Sequence, residues 1–375
     1  MSNILYEYQD VTKDLAEHIK ATPALQRYFK ADFNTVKASH YCGIVHLDGE
    51  NHYILPKIAD HKDDANLKIF TYMLSYAYDI KVKNEDLANA QNHQSDNILE
   101  VFIQLFAKNL LQELQRGIYK EYITEQENLP VLRGKYLINQ NLKYNFTKSK
   151  IYCEYDEFSM DNALNQFFLY AIKRLMLFAH NKKLLKQCEL ALDEVAAMQL
   201  DINQLNIHFH RLNSRFSESY EFALLLLQRS IPLFEKEKRS FAFLFDMNLI
   251  FEKFIGNICG SLDDRTTLQN KKKFLDLTLK PDIIMEDLII DTKYKKLDTI
   301  DEIKQSNKYQ MYAYAKCYTK DVMLLYPKYR KDITVDLLLD DIHLSIRTID
   351  LDFDGGYSEY IHVVRKRAED ILCLL

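Results

Sequence analysis

The sequence predicts three regions. Residues 1–88 form an α+β N-terminal domain, residues 89–240 a mainly helical connecting region, and residues 241–375 an α/β domain with a central mixed sheet. Three observations predict this. Near the start, two apolar runs flank Asp48-Gly49, the signature of a β-hairpin. In the middle, apolar residues recur at helical spacing. From Phe241 the pattern changes to helix, strands, helix, strand, and ends on an amphipathic helix. A length of 375 residues suits two or three domains.

Taken in order, "YCGIVHLDGENHYILPKIA" supplies the early hairpin, and "NLKIFTYMLSYAYDI" a helix with one apolar side. Residues 89–130 read as one long helix, striped by Ile98, Phe102, Leu105, Leu110 and Leu114, and broken by Pro130 and Gly134. "IYCEYDEFSMDNALNQFFLYAIKRLMLFA" starts as a strand and becomes a helix, with Asp161 as its N-cap. Helical patterns continue to about Ser230. "FAFLFDMNLIFEKFIGNIC" reads as an apolar helix with the acid Glu252 in its middle. "DEIKQSNKYQMYAYAKCY" is a further helix, and "DVMLLYP" and "IHLSIRTIDL" are strands. Internal repeats and low-complexity segments are absent from the sequence.

With 47% hydrophobic and 27% charged residues, the composition is that of a soluble globular protein. The net charge of −5 argues against a chain that captures DNA unaided, because such proteins carry a strong basic excess. Basic character is local, as at Lys271-Lys272-Lys273 and Lys293 to Lys296. The six cysteines are scattered without a CxxC pair, which speaks against a zinc ribbon and for reduced thiols in the cytoplasm. The N-terminus lacks the pattern of a signal peptide, and "FALLLLQ" is far too short to span a membrane.

The segment "KPDIIMEDLIIDTKYKK" carries the chemistry. Two apolar runs surround a Glu286-Asp287 turn; Asp282 precedes the first and Asp291 follows the second. A hairpin brings these carboxylates together, and Lys293, two residues after Asp291, falls on the same strand face. Two carboxylates suit Mg²⁺, which takes a few carboxylate oxygens and otherwise keeps water. A lysine beside them can meet a phosphate and orient the attacking water. Glu252 can complete the site from the preceding helix, and Gln310 and Tyr314, four apart, share a face of the next one. The competing account makes Asp282 a turn cap and pairs Asp291 with Lys293 or Lys295 at a strand end. Asp-x-Lys alone is uninformative, since Asp60-His61-Lys62, Asp79-Ile80-Lys81 and Glu302-Ile303-Lys304 match the same acid-x-Lys pattern. His208-x-His210 lacks a third ligand at metal spacing and reads as structural or surface. Tyr309, Tyr312 and Tyr314 read as core and site walls rather than base-stacking groups.

From Phe241 to Pro327 the chain resembles the PD-(D/E)xK restriction-endonuclease-like superfamily: helix, hairpin, Asp-x-Lys, then a Gln-x-x-x-Tyr helix. A wider set of motifs resembles the McrC family, the nuclease subunits of McrBC-type modification-dependent restriction systems. These motifs are "GIVHLDGENHYILPKI", "LRGKYLINQNL", "CEYDEFSMDNALNQFFLYAIKRL" and "FLFDMNLIFEKFI" leading into "KPDIIMEDLIIDTKYK". The resemblance implies a Mg²⁺-dependent endonuclease subunit that cuts methylcytosine-containing double-stranded DNA in phage defence. It implies a partner, an McrB-like AAA+ GTPase ring, which the small N-terminal domain docks into and stimulates. No GxxxxGK[ST] loop is present, so the motor is another chain. Asp282, Asp291 and Lys293 would be the catalytic trio, with Glu252 and Gln310 in support; Asp282, Asp291 and Glu252 would hold the metal. Arg133, Asp161 and Asn165 match family positions. The last two suit a structural hydrogen-bond network, while Arg133 could reach the motor's nucleotide site or a buried carboxylate. Two other functions compete: a regulatory activator of an AAA+ ring that binds DNA without significant cleavage, and a stand-alone repair nuclease.

Overall fold

The computed structural model describes residues 3–32, 35–47, 50–59, 63–80, 98–146, 149–202, 204–235, 238–274, 276–339 and 341–373. The chain forms two compact units: residues 1–99 together with 229–375, and residues 100–228. This partition differs from the expected boundaries near 88 and 240, and a single strand pairing explains it. Tyr41–Leu47 is hydrogen-bonded along its length to Lys238–Asp246, Ile44 facing Phe243. The two ends of the chain therefore share one sheet.

That sheet runs in the order Asn3–Tyr6, Glu50–Leu55, Tyr41–Leu47, Lys238–Asp246, Ser230–Glu235, with only the first pair parallel. The expected hairpin is its centre; the Asp48-Gly49 turn itself lies outside the described residues. Leu15 and Ile19, one turn apart on the Lys13–Ala21 helix, close a core with Val45, Ile54, Ala242 and Leu244. The segment from Phe241 departs from the expected helix: its first six residues are the end of a strand. Ala242 and Leu244 join that core, while Phe243 and Phe245 are buried against each other, at 4.7 Å between ring centroids. Buried on both sides, such a strand shows no alternation and cannot be told from a helix by periodicity. Asp246 ends it and caps the Met247–Leu262 helix, accepting the Asn248 amide at 2.9 Å.

The second sheet is mixed, in the order Thr267–Leu268, Ile283–Ile284, Leu288–Thr292, Asp321–Pro327, Ile342–Ile349, Val335–Leu339. Its three long inner strands are parallel and its edges antiparallel. The Gln305–Tyr318 helix lays Met311, Tyr314 and Ala315 onto Ile289, Leu324 and Ile346. Rings then join three helices. Tyr76 of Asp63–Ala77 meets Phe254 of Met247–Leu262 at 5.6 Å, and Phe254 stacks on Tyr360 of Tyr357–Leu372 at 6.0 Å. The closing helix buries Tyr360, Val364 and Ala368 at fourfold spacing, as its pattern predicts. The Val335–Leu339 edge strand was not foreseen, because its middle three residues are exposed and carry no burial pattern.

The second unit corrects the long helix expected over 89–130. The helix is Ile98–Gln115; residues 89–97 lie outside the described residues. Gly117, at φ 127°, stops the helix, and Glu121–Leu129 is a strand paired with Ile151–Ser159. Polar pairs hold the two strands: Thr124 donates to Asp156 and Gln126 to Glu154, each at 2.7 Å. A ribbon with little buried face offers no hydrophobic period to detect. Gly134, at φ 69°, turns the chain where a Cβ would collide with the Glu154 carbonyl. The helix after the ribbon, Ala163–Leu175, is capped by Asn162 rather than Asp161; Asn162 Oδ1 accepts the Asn165 amide at 3.1 Å. Among the described residues, no helix is long and apolar enough to cross a membrane.

Gly43 makes the shared sheet testable. It sits at φ 144°, and a Cβ there would overlap the Phe243 carbonyl on the paired strand. Gly43→Ala should destabilise the first unit by at least about 2 kcal/mol, read as a lower midpoint in thermal unfolding. A wild-type midpoint would refute this account of the pairing.

Candidate active site

The hairpin forms as expected from the sequence. Ile283 pairs with Ile290 and Ile284 with Ile289, which puts Asp282 level with Asp291 one step beyond. Met285 N donates to the Leu288 carbonyl at 2.8 Å and closes the turn. Asp291 is 1% exposed, at the end of a strand flanked by the parallel Asp321–Pro327 strand. Lys293 projects to the same side as Asp291 and ion-pairs with its Oδ2, which has no other donor.

Further hydrogen bonds set the acids. Gln310 Nε2 donates to Asp291 Oδ1 at 3.2 Å and approaches the Tyr314 hydroxyl at 2.8 Å. Tyr314 in turn donates to the Lys280 carbonyl at 3.0 Å, tying the helix to the start of the hairpin. Asp282 Oδ2 accepts both the amide and the hydroxyl of Thr292, at 2.8 and 2.9 Å. Glu252, on the Met247–Leu262 helix, accepts from the side chain of Gln269, a residue at φ 50° whose amide donates to the Asp282 carbonyl at 2.9 Å. Asp291, Lys293 and Gln310 thus form one hydrogen-bonded and ion-paired cluster; Thr292 holds Asp282 beside it, and Gln269 links Glu252 to the Asp282 backbone.

Electrostatics join the acids more closely than hydrogen bonds do. Burial, and then the Asp282 charge, push the Asp291 carboxyl up to about 6 against the pull of Lys293, with Glu252 adding a smaller push. Glu252 is raised by burial and by Asp282, while Gln269 and the lysines at 280 and 293 oppose this. Burial and Asp291 hold the Tyr314 hydroxyl protonated, and so a donor. The site therefore concentrates more acid than its cations neutralise. Among the described residues, no three acid, histidine or cysteine side chains stand together as a ready-made metal cage. The donor set is nonetheless hard carboxylate oxygen, and its surplus negative charge is what a divalent cation relieves.

Thr292, Gln269 and the Lys280 carbonyl were not among the residues picked from sequence. Thr292 could have been, since it lies between Asp291 and Lys293. The Gln269 link could not, because the rest of the Met247–Leu262 helix and the turn through Asp263, Asp264 and Arg265 separate it from Glu252. Elsewhere, Asn165 is fully buried and donates to the carbonyls of Tyr119 and Met160 at 2.8 and 2.7 Å. Asp161 lies just before the helix rather than on its face, and accepts from Gln166 and from the Ala196 amide. His210 contacts the Tyr119 hydroxyl at 3.2 Å and accepts the Leu212 amide, a structural arrangement. Arg133 is not at a helix end and reaches no buried carboxylate: it is half exposed, stacked 3.9 Å from the Tyr155 ring centre and 3.5 Å from Glu157.

Residues 36–327 match the family described as McrBC 5-methylcytosine restriction system component. This chain belongs to the McrBC family. Among solved structures, the McrBC-family fold recurs in a chain of the refined half-complex from the tetradecameric assembly of Thermococcus gammatolerans McrB AAA+ hexamers with bound McrC. The two chains are 23% identical, with 99% of this chain and 100% of that one covered, at a TM-score of 0.67. A chain of the cryo-EM structure of the Thermococcus gammatolerans McrBC complex is 27% identical, covers 69% of this chain and 87% of its own, and has a TM-score of 0.50. No curated protein matches. The McrBC family match ends at Pro327 and includes the whole hairpin and the Gln310 helix.

The raised Asp291 sets a pH signature. Its folded value, about 6, lies above its ordinary 3.8. The group's stabilising contribution is therefore complete below pH 3.8 and is lost as pH rises through about 6. In EDTA, Asp291→Asn should be more stable than wild type above that range, by up to about 3 kcal/mol, with the gap closing near pH 4. Melting curves across pH test this; an equal or lower midpoint for the variant at pH 8 would count against the charge surplus.

Proposed function

We propose that this chain is the McrC-like nuclease subunit of an McrBC-type restriction complex, a Mg²⁺-dependent endonuclease acting on methylcytosine-containing double-stranded DNA. The carrying observation is the buried Asp291, level with Asp282 across a hairpin and ion-paired to Lys293. The sequence of helix, hairpin, Asp-x-Lys and Gln-bearing helix on a mixed sheet supports a PD-(D/E)xK nuclease domain. Asp282, Asp291 and Glu252 would hold the metal, drawing together with water completing the shell. When bound, Mg²⁺ supplies counter-charge for the phosphoryl oxygens and acidifies water.

The chain's own groups do the rest. Thr292 and Gln310 fix the orientations of the two aspartates, so the acids need little reorganisation. Lys293, ion-paired to Asp291 at rest, would offer its ammonium to a non-bridging phosphate oxygen and to the attacking water; a cation held by the acids would supply the counter-charge for Asp291. Gln310 keeps Asp291 aimed at the reacting centre.

The same proposal assigns the partner as an McrB-like AAA+ GTPase ring, the kind of protein named in the similar Thermococcus gammatolerans assembly. The expectation had placed docking in residues 1–88. Exposed apolar side chains instead favour the ribbon of the second unit: Tyr122, Val131, Leu132, Ile138, Leu142 and Phe146, the last 87% exposed. Arg133 lies among them, half exposed on the Tyr155 ring beside Glu157, and would turn from these contacts to the partner's nucleotide site.

Plasmid cleavage with methylated and unmethylated DNA, with the AAA+ partner, GTP and Mg²⁺, tests the assignment. Lys293→Ala should cut at least about 100-fold more slowly while leaving the partner's GTP turnover stimulated. Undiminished cutting by this variant would remove Lys293 from the mechanism; GTP turnover stimulated by wild type without any cutting would favour the regulatory activator. Arg133→Ala should show the opposite pattern, with unchanged folding and a loss of GTPase stimulation. Full stimulation by that variant would exclude Arg133 from the partner's site.

A further inference from the structure

Beyond Lys293 the chain leaves its strand and runs through Tyr294 to Lys296 into a cleft. Glu7, Lys57, Tyr294, Lys296, Lys328 and Tyr329 line it. Its floor is acidic and buried: Glu7 accepts the Lys57 amide at 3.0 Å and the Tyr294 hydroxyl at 3.1 Å, and lies 3.7 Å from the Lys296 ammonium. Its rim is basic. One half-exposed ring, Tyr329, has three cations around it: Lys57 at 5.9 Å, Lys296 at 5.2 Å and Arg330 at 5.2 Å from its centre.

The charges do not balance. Glu7 answers Lys296, and Lys328 is held by Asp332 at 2.9 Å and Asp350 at 3.6 Å. Lys295 donates to the Glu302 carbonyl at 2.7 Å and forms no ion pair among the described residues. Lys57 and Arg330 pair with no carboxylate among the described residues. Burial, and to a lesser degree the Lys57 charge, press the Lys296 ammonium down, although Glu7 opposes them. In a chain of net charge −5, a cluster of mutually repelling cations is a place where an anion is missing.

We infer that this cleft is a phosphate-binding subsite that grips the DNA backbone a few nucleotides from the bond cut beside Lys293. The inference rests on the nuclease reading above. Lys293 and Lys296 are three residues apart, so at most about 11 Å of chain separates them. That distance corresponds to about three nucleotides at 3.4 Å of rise along one strand. Lysine and arginine contacts to phosphate carry no base information, so the subsite positions the duplex and leaves its sequence unread. A free nucleotide offers the same phosphate chemistry, and competition separates the two sources.

The test is fluorescence anisotropy of a labelled short duplex with the full chain in EDTA, at high protein concentration and from low salt upward, where phosphate contacts too weak to capture DNA in the absence of the partner still register. The variant is Lys57→Ala/Arg330→Ala, neither side chain of which holds the fold; an unchanged melting midpoint verifies this. The expected result is weaker binding, about tenfold at low salt, and a log–log salt slope shallower by about 1.8, since each lost phosphate contact removes about 0.9. Absence of duplex binding by wild type, or an unchanged affinity and slope in the variant, would overturn the inference. So would displacement of the duplex by GTP at concentrations at which inorganic phosphate has no effect, which would make a free nucleotide the ligand. In the complete complex the variant should need more DNA for half-maximal cutting, with the saturated rate kept. Duplex binding that depends on Lys57 and Arg330, without any cutting by the wild-type complex, would uphold the subsite and reject the nuclease reading.

Discussion

Everything about the candidate site follows from one cost: a carboxylate, Asp291, held almost out of water beside other acids. Removing a lone carboxylate from water is expensive, and a second negative charge nearby raises the cost. The molecule answers partially. Lys293 supplies a cation, Gln310 a neutral donor, and Thr292 satisfies Asp282 rather than Asp291. The remaining imbalance shows in the raised Asp291 and Glu252. A structural ion pair would be balanced more fully, because surplus buried charge destabilises a fold without return. Stability given up at one spot is a feature of sites that act on ligands.

The scaffold makes this possible by spreading the site over elements that cannot move independently. The hairpin edge, the parallel strand beside it, and the Gln305–Tyr318 helix share one apolar core. The Met247–Leu262 helix is fixed separately, by Asp246 at its start and by aromatic rings on two other helices. Glu252 is therefore presented by an element whose strand is paired with the N-terminal hairpin. Tyr294 works in the same way, its ring against Phe251 and its hydroxyl on Glu7. The segments near the start of the chain thus hold up the chemistry encoded near its end.

How much of this was legible in the sequence depended on separation along the chain. The hairpin with Asp282, Asp291 and Lys293 was readable because nine residues and a period of two settle its geometry. Gln310 and Tyr314 were readable for the same local reason. The Lys238–Asp246 strand was not: it is apolar on both faces, and its partner lies about two hundred residues earlier. The Glu121–Leu129 ribbon failed in the opposite direction, being too polar to show any period. Gln269 gave no motif, since its role comes from a backbone position that only the folded chain brings beside Glu252 and Asp282.

The discontinuity of the first unit also dictates an order of events during synthesis. Tyr41–Leu47 leaves the ribosome long before Lys238–Asp246, so one edge of the first sheet waits unpaired while residues 100–228 are made. Those residues form a compact unit of their own and can fold during that interval. The hairpin with its acids emerges later still, after the strand that completes the sheet. A nascent chain thus has its middle unit in place before the cluster of Asp282, Asp291 and Lys293 exists, and a chain truncated before the hairpin lacks that cluster altogether.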